Sequence, residues 1–88
     1  MKPTVGRIVH YALSEYDIAA INRGTQRQFN NIGNAVEVGQ ICPAMIVRVF
    51  DPEGGSGTAN LQVFLDGSDS YWATSRKNGD EPGTWTGA

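Results

Sequence analysis

The chain of 88 residues has one cysteine (Cys42), one histidine (His10) and little charge. A single cysteine excludes an intrachain disulfide. With one histidine beside it, there is no Cys/His spacing of the kind that holds structural zinc. Charged residues make up 18% of the chain, below the roughly one quarter of an average domain, and the net charge is −2. Lys2, Arg7, Arg23, Arg27, Arg48, Arg76 and Lys77 are scattered. They form no basic stripe of the sort that attracts phosphate backbones, so general nucleic-acid binding is not expected. Low charge combined with 40% apolar residues also argues against disorder. No apolar run approaches the ~20 residues a membrane-spanning helix needs. No apolar signal segment is read at the start, which makes a cytoplasmic protein the expectation.

Length sets a second limit. A chain this short reads as one domain, residues 1–88, burying roughly 60–70% of the surface its unfolded form exposes. That supports one thin core and no deep cleft between domains. A sizeable ligand site is expected at a barrel mouth or a subunit junction, and self-association into a homo-oligomer is expected to cover strand edges.

What is present is β pattern. Three runs hold most of the apolar side chains: residues 5–11, 43–50 and 60–67, each bounded by Gly, Pro, Asn or Asp. The first predicted strand covers 5–11, with Val5, Arg7, Val9 and Tyr11 on one face and Gly6, Ile8 and His10 on the other. The second covers 41–50, the third about 58–66, the fourth 71–75, and a last short strand or docked tail 84–86. Residues 35–40 read as a short edge strand or an approach turn with a bend at Gly39. Between the first two main strands the spacing turns helical. Ser14 with Asp17 three positions later is a capping-box form with Asp in place of Glu, and a helix is predicted over about 14–23. The fold class is mainly β with one short helix: a small SH3-like barrel of about five strands with a helical insertion after strand one. An OB-like arrangement is the rival.

The usual catalytic signatures are weak. Gly54-Gly55-Ser56-Gly57 is followed by Thr58-Ala59-Asn60 and a strand, not by the Lys-Ser/Thr and helix of a phosphate loop, so it reads as a hairpin tip. His10 has no partner marked by sequence, and Cys42 beside Pro43 reads as a small buried thiol. Asp51, Glu53, Asp66, Asp69, Asp80 and Glu81 fall in predicted turns, where carboxylates bond the backbone. Asp66-Gly67-Ser68-Asp69 lacks the ligand cycle of a calcium loop. No catalytic residue, metal or cofactor is assigned, and the chain is read as no enzyme.

One group is more suggestive. The third strand alternates Asn60, Gln62, Phe64 and Asp66 against Leu61, Val63 and Leu65. Tyr71 and Trp72 follow a turn later, with Thr74 and Ser75 beyond, and Trp85 in the tail. Flat rings stack on bases or sugars, and amides and hydroxyls read hydrogen-bonding edges without net positive charge. Arg48 supplies one cation for a phosphate or carboxylate. The competing reading packs Trp72 in the core and uses Trp85 to pin the C-terminus.

Together, Pro3-Thr4-Val5-Gly6-Arg7-Ile8-Val9-His10-Tyr11, Pro43-Ala44-Met45-Ile46-Val47-Arg48-Val49-Phe50, Asn60-Leu61-Gln62-Val63-Phe64-Leu65-Asp66-Gly67, Trp72-Ala73-Thr74-Ser75 and Pro82-Gly83-Thr84-Trp85 resemble a group of small proteins of tailed phages and prophages. The resemblance spans most of the chain outside 12–40. The group commonly ends in Trp-x-Trp-Pro, where this chain has Trp85-Thr86-Gly87-Ala88. The resemblance implies a phage accessory protein acting inside a bacterial cell. In size and setting it is similar to phage sponges that sequester nucleotide immune signals.

The leading expectation is therefore a non-enzymatic binding protein that captures a small nucleotide-like ligand at a subunit interface. Its ligand-binding residues are Tyr11, Arg48, Asn60, Gln62, Asp66, Trp72, Thr74 and Trp85. The second expectation is a structural or interaction module, either SH3-like and protein-binding or a minor virion component, with the same aromatics as anchors. The third is a hydrolase using His10 with an acid.

Overall fold

Five strands, β1 (Ile8–Ala12), β2 (Ile41–Val49), β3 (Ala59–Phe64), β4 (Ser70–Arg76) and β5 (Trp85–Gly87), and one helix, α1 (Glu15–Asn22), make up the computed structural model. It describes residues 3–23, 36–50, 57–65 and 69–87. The strands form one antiparallel sheet in the order β4-β3-β2-β1-β5. The mainly β architecture with one short helix is as expected. The closed barrel is corrected to an open sheet, because edge strands β4 and β5 do not pair with each other as strands. They approach only through an isolated parallel bridge between Asn78 and Trp85. There the Trp85 amide donates to the Lys77 carbonyl at 3.1 Å, and the Gly79 amide donates to the Trp85 carbonyl at 2.9 Å.

The first strand starts later than its apolar pattern suggests. Gly6 has φ +91° and sits in a turn, a left-handed conformation few side chains tolerate, so pairing begins at Ile8. From there alternation holds, with Val9 and Tyr11 buried and Ile8 and His10 exposed. Residues 36–40 form the approach turn rather than an edge strand: Gly39 (φ +85°) donates its amide to the Leu13 carbonyl.

α1 begins where the sequence places it. The Ser14 hydroxyl accepts from the Asp17 amide at 3.2 Å, and the Asp17 carboxylate accepts from the Ser14 amide at 2.8 Å, closing the capping box. The helix lies on the inner face of the sheet. There Val9, Tyr11, Ala44, Ile46, Leu61, Val63, Ala73 and Trp85 form the core with Leu13 and Ile21. Trp85 fills the corner where the sheet edges come closest. Its indole N–H donates to the Gly57 carbonyl at 2.9 Å, and a methyl group at Gly57 (φ +62°) would lie 2.9 Å from the Asn78 Cβ.

Two bulges meet at one residue. On β2 the register skips Val47 between Ile46 and Arg48, and on β4 Thr74 and Ser75 together oppose one position of β3. In both cases the single opposing residue is Asn60. Its side-chain oxygen accepts from the Ser75 amide at 2.7 Å and the Thr74 hydroxyl at 2.9 Å. Those bonds hold Ser75 at φ +58°, an unusual backbone for a serine. The predicted loop at 30–34, most of the 51–57 hairpin tip and the turn at 66–68 lie outside the described residues.

Candidate functional site

Strand alternation gives the sheet one sealed face and one open face. On the open face Ile8, Met45, Gln62 and Trp72 stand in register across β1, β2, β3 and β4. Ile8 is 45% exposed and Trp72 57% exposed. Ser70 opposite Phe64 and His10 opposite Pro43 form the adjoining row, and Val47 and Ile41 add further exposed apolar surface. Pro43 has no N–H to contribute to the ladder, and it sits where β3 is ending at Phe64.

Five of the eight residues singled out from sequence converge on this face: Arg48, Asn60, Gln62, Trp72 and Thr74. Arg48 opposes Asn60, and its guanidinium lies 5.0 Å from the centre of the Phe50 ring. Gln62 opposes Trp72, and its amide nitrogen donates to the Ser70 hydroxyl at 3.1 Å. Asn60 and Thr74 bond to each other, so their polar groups serve the bulge first. Tyr11 and Trp85 are corrections. Both are fully buried on the inner face, because odd positions of β1 point inward and β5 pairs Trp85 with Tyr11. Neither ring offers a stacking surface. Asp66 lies outside the described residues.

Sequence reasoning missed the most elaborate polar constellation. Asp17 is fully buried, and both of its carboxylate oxygens are occupied. Oδ2 accepts from the Tyr11 hydroxyl (2.5 Å), the Ser14 amide (2.8 Å) and the Ser14 hydroxyl (2.9 Å). Oδ1 accepts from the Tyr71 hydroxyl (2.8 Å) and the Arg76 guanidinium (2.6 Å). Burial pushes the Asp17 carboxyl up, but the hydrogen bonds from Tyr11, Ser14 and Tyr71 outweigh it and hold the group below its ordinary value. Tyr71 is pushed up to about 12, first by burial and then by its bond to the Asp17 carboxylate; Tyr11 is raised further for the same reasons. Arg76 lies over the rings of Tyr11 and Tyr16 at 5.9 and 5.6 Å. With no exposed surface on the carboxylate, this arrangement clamps α1 to β1 and β4. The signal available in sequence was Ser14 and Asp17 as a cap; nothing local marks Tyr71 and Arg76 as their partners.

The remaining features are modest. A shallow hollow of about 290 Å³ lies at the end of β2 and β3, lined by Gln40, Ile41, Cys42, Pro43, Phe64 and Leu65. Another of about 130 Å³ includes His10 and Asp80. Cys42 is a buried free thiol, pushed up by desolvation, as its sequence position suggested. Among the described residues there is no group of three or more His, Cys, Asp or Glu able to hold a metal ion, and no helix long and apolar enough to cross a membrane. No protein-family model, curated protein or solved structure matches the chain.

Proposed function

We propose that the protein is a non-enzymatic interaction module that docks a partner protein on the open face of its sheet. The observation that carries this is Trp72, 57% exposed at the centre of an apolar row with Ile8, Met45 and Gln62. Exposed tryptophan with flanking aliphatic side chains and a neighbouring arginine is the composition of a protein-binding hot spot. The face is open rather than concave, which suits a partner surface better than a small molecule needing enclosure on most sides. The finer fold that goes with this reading is an SH3-like barrel. Return of β5 beside β1 supports it, as does the Asn78–Trp85 bridge that draws the two sheet edges together.

A second reading is favoured by one local observation: Trp72 stands beside the Gln62 amide, with Arg48 on the same face. That set suits a nucleotide-derived ligand, the base stacking on the indole and a phosphate meeting the guanidinium. The resemblance to small phage proteins supplies a setting for either reading, a bacterial cell in which a phage product intercepts a host protein or signal.

Affinity capture from phage-infected cells with wild-type and Trp72→Ala chains tests the first reading. A specific partner retained by wild type and lost with Trp72→Ala supports it; a partner retained equally by both contradicts it. Calorimetry against cyclic nucleotides and ADP-ribose derivatives tests the second, where no heat from any of them in folded protein removes it.

A further inference from the structure

We infer that β4 is the seam of a homodimer, in which two copies pair their β4 strands antiparallel about Trp72 and join two five-stranded sheets into one. The inference rests on main-chain geometry and is independent of what the open face binds.

β4 is one edge of the sheet. The Leu65 amide donates to the Asp69 carbonyl at 3.1 Å, which marks that pair as a hydrogen-bonded rung of the β3–β4 ladder. Antiparallel rungs alternate, so Tyr71 and Ala73 also direct their main-chain groups at β3, while Ser70, Trp72 and Thr74 direct theirs outward. Among the described residues nothing meets those outward groups. The bridge to β5 uses residues 77–79, beyond the strand. The other edge, β5, is only three residues long and is engaged by that bridge.

Exposed edges are usually blunted by lysine, proline or an inward-pointing charge. From Ser70 to Ser75 this strand has none of these, and Tyr71, Trp72 and Thr74 favour extended backbone. A two-fold axis must pass beside an outward-facing residue, and Trp72 is the central one. Pairing there sets Trp72 against its own copy and Ser70 against Thr74 of the copy, giving about six main-chain hydrogen bonds. The charges agree with one orientation. Asp69 precedes the strand and Lys77 follows it, so antiparallel pairing brings acidic start toward basic end, whereas parallel pairing brings like toward like. The two indoles then lie side by side on a doubled open face.

Light scattering on the full chain across the micromolar range is expected to give twice the 9.5 kDa monomer mass for wild type. It is expected to give the monomer mass for Trp72→Lys with an unchanged circular dichroism spectrum, because two lysines would then face each other across the axis. Should Trp72→Lys fail to fold, cysteine cross-linking decides in a Cys42→Ala background. The Cα atoms of a hydrogen-bonded pair are about 5.5 Å apart, within disulfide range. Trp72→Cys is therefore expected to form a covalent dimer at least tenfold faster than Val47→Cys, an exposed control on the same face. A wild-type chain that stays monomeric, a Trp72→Lys chain that dimerises as well as wild type, or equal cross-linking of the two cysteine variants would overturn the inference.

Discussion

The Tyr71 hydroxyl on β4 donates a 2.8 Å hydrogen bond to Asp17 on α1, a residue 54 positions earlier in the chain. Through this bond, and the Arg76 pair on the same oxygen, the one helix is tied to the far edge of the sheet. Asp17 also serves as the capping residue of its own helix, so a single carboxylate ends the helix correctly and fixes where it lies.

Asp17→Ala is expected to destabilise the protein by about 3–5 kcal/mol, because it leaves the Arg76 charge and two tyrosine hydroxyls in a buried site without their acceptor. Tyr71→Phe, which removes one donor to a charged acceptor, is expected to cost about 1.5–3 kcal/mol. Urea denaturation of both variants against wild type provides the comparison. Equal stability of Asp17→Ala and wild type would contradict the clamp.

The same cluster sets the pH limits of stability. The Asp17 pKa is lowered in the folded state, so its contribution is present above the ordinary carboxylate value and is lost as pH falls through the folded value. Tyr71 is raised from 10.0 to about 12, so its contribution is complete below 10.0 and is lost as pH rises through about 12. Melting temperature measured against pH is expected to fall at both ends, and Tyr71→Phe should lessen the alkaline fall. An alkaline limb identical in the variant would assign that loss elsewhere.

Asn60 separates a structural from a ligand-binding role. Both of its bonds run to the side-chain oxygen, which an aspartate also possesses. Asn60→Ala is expected to cost about 1–3 kcal/mol by leaving the Ser75 amide unpaired, and Asn60→Asp distinctly less. If thermal melts show both substitutions to be neutral, the bulge does not depend on this side chain.

Gly57→Ala is expected to destabilise by about 1–3 kcal/mol, since the added methyl meets the Asn78 Cβ at 2.9 Å and the Trp85 ring at 3.3 Å on a backbone with φ +62°. Replacement by serine should behave no better. A melting temperature unchanged by either substitution would show that the corner between Trp85 and the strand ends is loose.

Much of the sheet was legible because alternation is local. Leu61, Val63 and Leu65 against Gln62 and Phe64 could be assigned to opposite faces from spacing alone, and the structure buries the first set and exposes Phe64. Ser14 and Asp17 announced the helix start for the same reason. Sheet order and closure are not local: whether β5 seals against β4 depends on twist accumulated over four neighbours, which no single run encodes. The face of Tyr11 and Trp85 was misjudged because an aromatic residue in a short strand carries the same pattern whether it points inward or outward. Asp17 escaped notice as a clamp because its partners Tyr71 and Arg76 lie beyond three intervening strands.

Acrylamide quenching of the two tryptophans tests the division between a sealed and an open face most directly. The expected result is two populations in the wild-type chain, one readily quenched and one protected, with Trp72→Phe removing the quenched one and leaving Trp85 protected. Uniform protection of both rings, or a protected population that vanishes with Trp72→Phe, would mean that the open face is not open.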